Sequence, residues 1–219
     1  MRKQKSLWLI FGLAVVLFCG CDASVNRSIY VSDGEHSGGQ TSVNGSIHVG
    51  ARCRIEGDCT TVNGSIRVGD GSQVRDLDTV NGRISLAADA NVDGNATTVN
   101  GSIICNRGSK IHGRLTTVNG RIELTNTEVD EELSTVNGDI RLQAQSLVHG
   151  DIVIKGSHGR LFNHQHLEIR ISEGSRVEGG IIVRDPDAEV KVYLSKDSSV
   201  KGEINNAQVI KENEVREKI

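Results

Sequence analysis

Proline occurs once in the 219 residues, and aromatic side chains make up 3% of the chain. Trp8, Phe11 and Phe18 fall within the first twenty residues, so beyond them only Tyr30, Phe162 and Tyr193 remain. A globular core of this length ordinarily leans on more rings, and single-stranded nucleic acid sites stack bases on them. The scarcity points instead to thin layers filled by Val, Ile, Leu and Ala. Positive charge is also short: past residue 20 there are 22 basic against 28 acidic residues, a net charge near −6. That surface excludes nucleic acid as an expected partner.

The one long apolar run, Leu7 to Phe18, follows Arg2, Lys3 and Lys5 with no acid among them. This is the layout of a secretory leader, and the run falls short of the about 20 residues that span a bilayer. Residues 1–20 are therefore expected to be removed. The segment Leu17-Phe18-Cys19-Gly20-Cys21-Asp22 resembles the lipobox of bacterial lipoproteins, in which a small residue precedes the cysteine that is acylated and becomes residue one. The resemblance implies lipid attachment at Cys21, with enough acyl chain for stable anchoring. In enterobacterial members of that class an Asp in the place of Asp22 favours retention, which implies the periplasmic face of the inner membrane.

What the remainder has in abundance is a repeat. SVNGSI at 42–47 is followed by TVNGSI at 61–66, TVNGRI at 79–84, TVNGSI at 98–103, TVNGRI at 117–122 and TVNGDI at 135–140, spaced 18 or 19 residues apart. Within each repeat, short alternating segments such as Val62 to Ile66 and Val68 to Ser72 read as three half-buried strands per coil. The valines Val43, Val62, Val80, Val99, Val118 and Val136 are assigned to the core, where an Asp at 99 or 118 would bury an unpaired charge. Asn-Gly marks a sharp corner, glycine accepting positive φ at low cost. Stacking would align Asn44, Asn63, Asn81, Asn100, Asn119 and Asn137 in one ladder, able to satisfy the corner backbone. Thr61, Thr79, Thr98, Thr117 and Thr135 form a parallel rank of β-branched side chains.

A second corner, Val/Ile-x-Gly, recurs at Ile55-Glu56-Gly57, Val92-Asp93-Gly94, Ile111-His112-Gly113, Val148-His149-Gly150, Val177-Glu178-Gly179 and Val200-Lys201-Gly202. The expected fold is all-β, a single-stranded β-helix (β-solenoid), right-handed, of about eight coils. It divides into a linker and first coil or cap (21–42), a regular TVNG-repeat region (43–154), an interrupting loop (155–166), C-terminal coils (167–206) and a charged tail or capping helix (207–219). Cys53, Cys59 and Cys105 take places held elsewhere by small or aliphatic residues, and are expected to be buried thiols.

The coils Val177-Glu178-Gly179-Gly180-Ile181 and Val200-Lys201-Gly202-Glu203-Ile204 resemble the bactofilin, or polymer-forming cytoskeletal, family. The TVNG repeats are similar to adhesin-type β-solenoid domains of exported bacterial proteins. The first resemblance implies end-to-end polymerisation without nucleotide. Val49-Gly50-Ala51-Arg52-Cys53 also resembles the hexads of left-handed β-helix acyltransferases, a third and weaker reading. No paired-acid signature marks a catalytic residue, and neither cofactor nor metal is expected. His158, His164 and His166 crowd the interrupting loop and form the one candidate binding segment. The sequence thus favours a non-enzymatic, lipid-anchored envelope scaffold with a homopolymer or envelope-protein partner; a monomeric tethered binding or adhesin-like module is the alternative.

Overall fold

The structure is a computed structural model that describes residues 22–156, 166–185 and 188–212. Every strand pairs in parallel with its equivalent one coil away, giving three sheets of ten, ten and nine strands. Among the described residues there is no helix. In the regular region the register advances by 18 or 19 residues per coil, as in Leu77 opposite Ala96 and Ile122 opposite Ile140. The chain makes about nine turns, one more than the repeat count suggests. The extra coil is the first: Asp22–Ser24 pairs with Gln40–Ser42, and Ser24-Val25-Asn26-Arg27-Ser28-Ile29 is the same motif with arginine in the glycine's place.

The core is a set of columns running along the rod. Ile47, Ile66, Ile84, Ile103, Ile122, Ile140 and Ile169 are stacked in register and essentially without solvent exposure. Each contributes about 1.5–3 kcal/mol relative to an exposed position. Cys59 stands between Gln40 and Leu77 in one such column, and Cys105 between Leu86 and Leu124 in another. All three thiols are buried and free. Burial pushes Cys59 and Cys105 up to about 12, with Asp58 adding to the effect at Cys59.

Two expectations are corrected at the asparagine corner. The valines of the motif do not fill the core: Val43 is exposed, and Val62, Val80, Val99, Val118 and Val136 are half-buried on the outer side. The preceding residue points inward instead, and Ser42, Thr61, Thr79, Thr98, Thr117 and Thr135 are buried. A hydroxyl is tolerated there because it donates to the carbonyl of the glycine one coil earlier: Thr61 to Gly45 at 2.8 Å, and Thr79, Thr98 and Thr117 to Gly64, Gly82 and Gly101 at 2.9 Å each. A paired buried hydroxyl escapes the desolvation penalty. An Asp at 99 or 118 would consequently meet solvent rather than the core.

The glycines Gly64, Gly82, Gly101, Gly120 and Gly138 do not have positive φ. A Cβ at any of them would lie 1.8–2.1 Å from the carbonyl oxygen of the glycine below. Close approach of stacked backbones, not a left-handed turn, makes the residue necessary. In the regular coils positive φ belongs to a different corner, between the second and third sheets, at Gly34, Arg52, Gly71, Asp89, Gly108 and Asn126.

Past Ile140 the coils lengthen. The next step of the second sheet, Ile140 to Ile169, takes 29 residues, and the following one, Ile169 to Val192, takes 23. Both additions sit at the asparagine corner, between Ile152–Ile154 and His166–Ile171 and between Ile181–Val183 and Glu189–Ser195. The inner threonine column continues as Ile154 and Val183. The stretch expected to be a charged tail or cap begins as a strand, Gln208–Glu212, which pairs with Glu189–Ser195 and is the last strand of the second sheet.

Candidate functional site

Of the residues singled out in the sequence, Cys21, His158 and His164 lie outside the described residues. His166 opens the strand His166–Ile171, is exposed, and places Nδ1 3.0 Å from Glu189 Oε2 in the next coil. The asparagines form a continuous hydrogen-bonded ladder. Asn63 Nδ2 donates to Asn44 Oδ1, and so on through Asn81, Asn100, Asn119 and Asn137, at 2.8–2.9 Å per rung. One further rung precedes them, Asn44 to Asn26 at 2.9 Å. At the other end, where the long coils begin, Asn137 Oδ1 and the neighbouring buried Thr135 Oγ1 have no hydrogen-bond partner.

The densest chemistry lies on the third sheet, whose strands are two residues long. Stacking aligns Glu56, Arg75, Asp93, His112, Asp130, His149, Glu178 and Lys201 as one outward column. Anionic places alternate with basic or histidine ones. His112 Nδ1 is 2.7 Å from Asp130 Oδ2. His149 bridges two carboxylates, Nε2 at 2.9 Å from Glu128 Oε1 and Nδ1 at 2.7 Å from Glu178 Oε2. Lys201 Nζ closes on Glu178 at 2.6 Å. The hydrogen bonds to Glu128 and Glu178 raise the His149 pKa above its ordinary value despite some burial. Correspondingly, Glu128 is lowered chiefly by His149, and Glu178 by Lys201 and then His149.

Glu128, Asp130 and His149 present ligand atoms within 4.8 Å of one another. A carboxylate on the far nitrogen of a ligating histidine, as Glu178 is to His149, is a familiar outer-sphere arrangement in metal sites. Here, however, Lys110 Nζ stands 3.3 Å from Glu128 Oε1 and 3.7 Å from Asp130 Oδ1. The ammonium supplies the positive charge that a cation would bring, and the group functions as an ion-pair ladder. The sequence reading missed this cluster because its members come from successive coils; only writing the repeats in register brings Asp130 beneath His149.

A second group missed in the sequence lies on the outer face of the first sheet. Asp78 interrupts a column of hydroxyl residues, standing between Thr60 and Thr97. Burial, followed by the charges of Asp76 and Asp58, pushes its pKa up to about 6, while a hydrogen bond from Thr97 acts the other way. On the second sheet, Tyr30 and His48 stack with ring centres 4.7 Å apart. At the opposite end of that face the Arg170 guanidinium lies 4.2 Å over the ring of Tyr193. Along the faces the clefts are shallow and polar, such as the one among Arg121, Glu123, Asp139, Arg141 and Glu168.

No known protein family, curated protein or solved structure matches the chain. The class is therefore defined by the fold itself: a β-solenoid repeat protein of stacked parallel strands.

Proposed function

We propose that this chain is a lipid-anchored, non-enzymatic scaffold of the bacterial cell envelope, a β-helical rod that self-associates or offers its faces to another envelope component. The observation that carries the reading is the unbroken stacking of three in-register parallel sheets along the whole described chain. Its repeated residues serve that stacking: Ile and Leu inside, the threonine hydroxyls on glycine carbonyls, the asparagines on one another. At a strand spacing of about 4.8 Å, nine turns make a rod roughly 40 Å long. The leader and the lipobox-like segment ending at Cys21 support attachment to the periplasmic face of the inner membrane. Self-association is the property that the bactofilin resemblance would imply for such coils.

The second reading, a monomeric tethered binding module, is favoured by one feature, the concentration of added chain at a single corner in the 29-residue and 23-residue coils. The experiment that separates the two is fractionation of cells expressing the full chain and its Cys21→Ala variant, followed by light scattering of the purified proteins over a range of concentrations. The scaffold predicts a membrane-bound wild type, a soluble variant and a mass that grows with concentration. A monomer at every concentration would overturn the scaffold in favour of the binding module, and a membrane-bound Cys21→Ala protein would defeat the anchor.

A further inference from the structure

The first strand begins at Asp22 and is held in register against Gln40–Ser42 from its first residue. Adjacent Cα atoms are about 3.8 Å apart, so an acyl chain on Cys21 has no linker through which to stand away from the rod. The coil it joins is the end coil, and its strands form the outer edge of all three sheets. Among the described residues no further coil satisfies the backbone donors and acceptors of that edge, and an open edge is a template for association unless it is covered.

The same end carries the exposed apolar surface. Among the described residues the exposed large hydrophobic side chains are Val25 (64% exposed), Tyr30 (73%), Val43 (41%) and Val209, and the first three belong to the first two coils. Exposed Arg27 lies between Val25 and Tyr30 in the chain, and an open hollow at this end is lined by Ala23, Ser24, Arg27 and Ile29 together with Tyr30. An amphipathic ring, short aliphatic groups and a guanidinium are the side chains suited to the headgroup boundary of a bilayer. One acid of this coil, Asp22, adjoins the anchor, and the other two, Asp33 and Glu35, stand past the next corner, away from that side.

We infer that the first coil is a membrane seat: its Val25–Tyr30 corner, with Val43, rests in the headgroup layer, and the rod stands on its N-terminal end. The inference rests on the lipid anchor proposed above and adds an orientation to it. With that end covered, head-to-tail stacking through the first coil is blocked in the attached protein. Assembly on the membrane is left to the lateral faces and the C-terminal coil.

Tyr30 and Tyr193 allow a direct test, because they share one outward column on the second sheet and stand eight coils, or about 38 Å, apart. The mature chain contains no tryptophan, the only one being Trp8 in the leader. The lipidated full-length protein, carrying either Tyr30→Trp or Tyr193→Trp, is placed in phosphatidylcholine–phosphatidylglycerol vesicles containing brominated acyl chains. An indole at position 30, sunk about 5 Å into the boundary, is expected to be quenched roughly twofold, with its emission shifted to the blue; one at position 193 should be unchanged. Quenching at both positions would mean that the rod lies flat, and quenching at neither would mean that the coil hangs free; either result overturns the seat. Intact mass of the purified protein reports the anchor separately: absence of the acyl mass brings down the anchor and the seat together, whereas an acylated protein with an unquenched position 30 brings down the seat alone.

Discussion

The coils before Ile140 and those after it use the same core to hold different exteriors. From Thr61 to Gly138 the asparagine corner is uniform, built from a buried threonine, a half-exposed valine, a laddered asparagine and a glycine without room for a Cβ. In the later coils Ile154 and Val183 replace the threonine and the corner takes up more residues, yet the sheets continue in register. The means of joining coil to coil changes as well. The coils before Lys110 are tied by amide and hydroxyl ladders, and their ion pairs, Arg54 with Glu56 and Arg75 with Asp58, are long at 3.9 Å. From Lys110 onward close ion pairs between coils join the ladders and outlast them past Asn137, at distances down to 2.6 Å. Stacking therefore requires an apolar interior and a corner that can be satisfied, and the polar chemistry outside is free to vary.

The comparison is broken most severely at a corner glycine. In Gly101→Ala the new methyl group would lie 1.8 Å from the Gly82 carbonyl oxygen, so two coils must part. A loss of about 4 kcal/mol or more is expected in a denaturant titration, whereas Gly156→Ala, in the long coil where the nearest backbone is 3.4 Å away, should change stability by less than about 1 kcal/mol. Equal effects would show that the two corners pack alike.

A smaller change of opposite sign is expected at Asp78. Its folded pKa of about 6 lies above the ordinary 3.8, so the folded state binds the proton more tightly than the unfolded one. Ionising it costs stability progressively as the pH rises from about 4 through 6. Asp78→Thr, which restores the hydroxyl column of Thr60 and Thr97, should stabilise the protein by about 1–2 kcal/mol at pH 7, allowing for solvent screening. The gain should vanish near pH 4 in thermal melts.

The smallest effect belongs to the ion-pair ladder. The raised pKa of His149 means that its contribution is fully present below about 6.5, its ordinary value, and is lost as the pH rises through the folded value; the lowered Glu128 and Glu178 contribute above about 4.5 and lose it as the pH falls through theirs. Both conditions are met in mild acid. The melting difference between wild type and His149→Ala should accordingly be widest between about pH 5 and 6, and should shrink in alkali and in molar salt. A difference that ignored salt would point to packing rather than charge.

Much of this architecture is legible in the sequence because stacking demands repetition. The spacing of the TVNG motifs carries the coil length, and the Val/Ile-x-Gly corners carry the continuation past residue 155. The inward residue at the asparagine corner was misassigned for a physical reason: valine is the more apolar of the Thr-Val pair, and the Gly82 carbonyl that satisfies Thr98 belongs to another coil. The same holds for the glycines, whose constraint comes from the neighbouring backbone and not from their own φ. The His149 cluster is half visible, since Glu56, Asp93, His112, His149, Glu178 and Lys201 stand out at their corners, while Asp130, followed by Glu131 where the others have glycine, escapes the pattern. Asp78 has Asp76 beside it in the sequence, but its burial and the approach of Asp58 appear only with the winding of the chain.

The asparagine ladder also gives the rod an electrical sense. Each amide donates toward the preceding coil, from Asn137 down to Asn26 without reversal. Aligned hydrogen-bonded amides polarise one another and their dipoles add, as peptide units do along a helix. The positive pole falls on the amino group of Asn26 in the first coil and the negative pole on the unpartnered oxygen of Asn137, about six coils above. A molecule whose sheets consist of parallel strands with little net field thus carries one directional wire along a single edge, with its positive end at the coil beside Cys21.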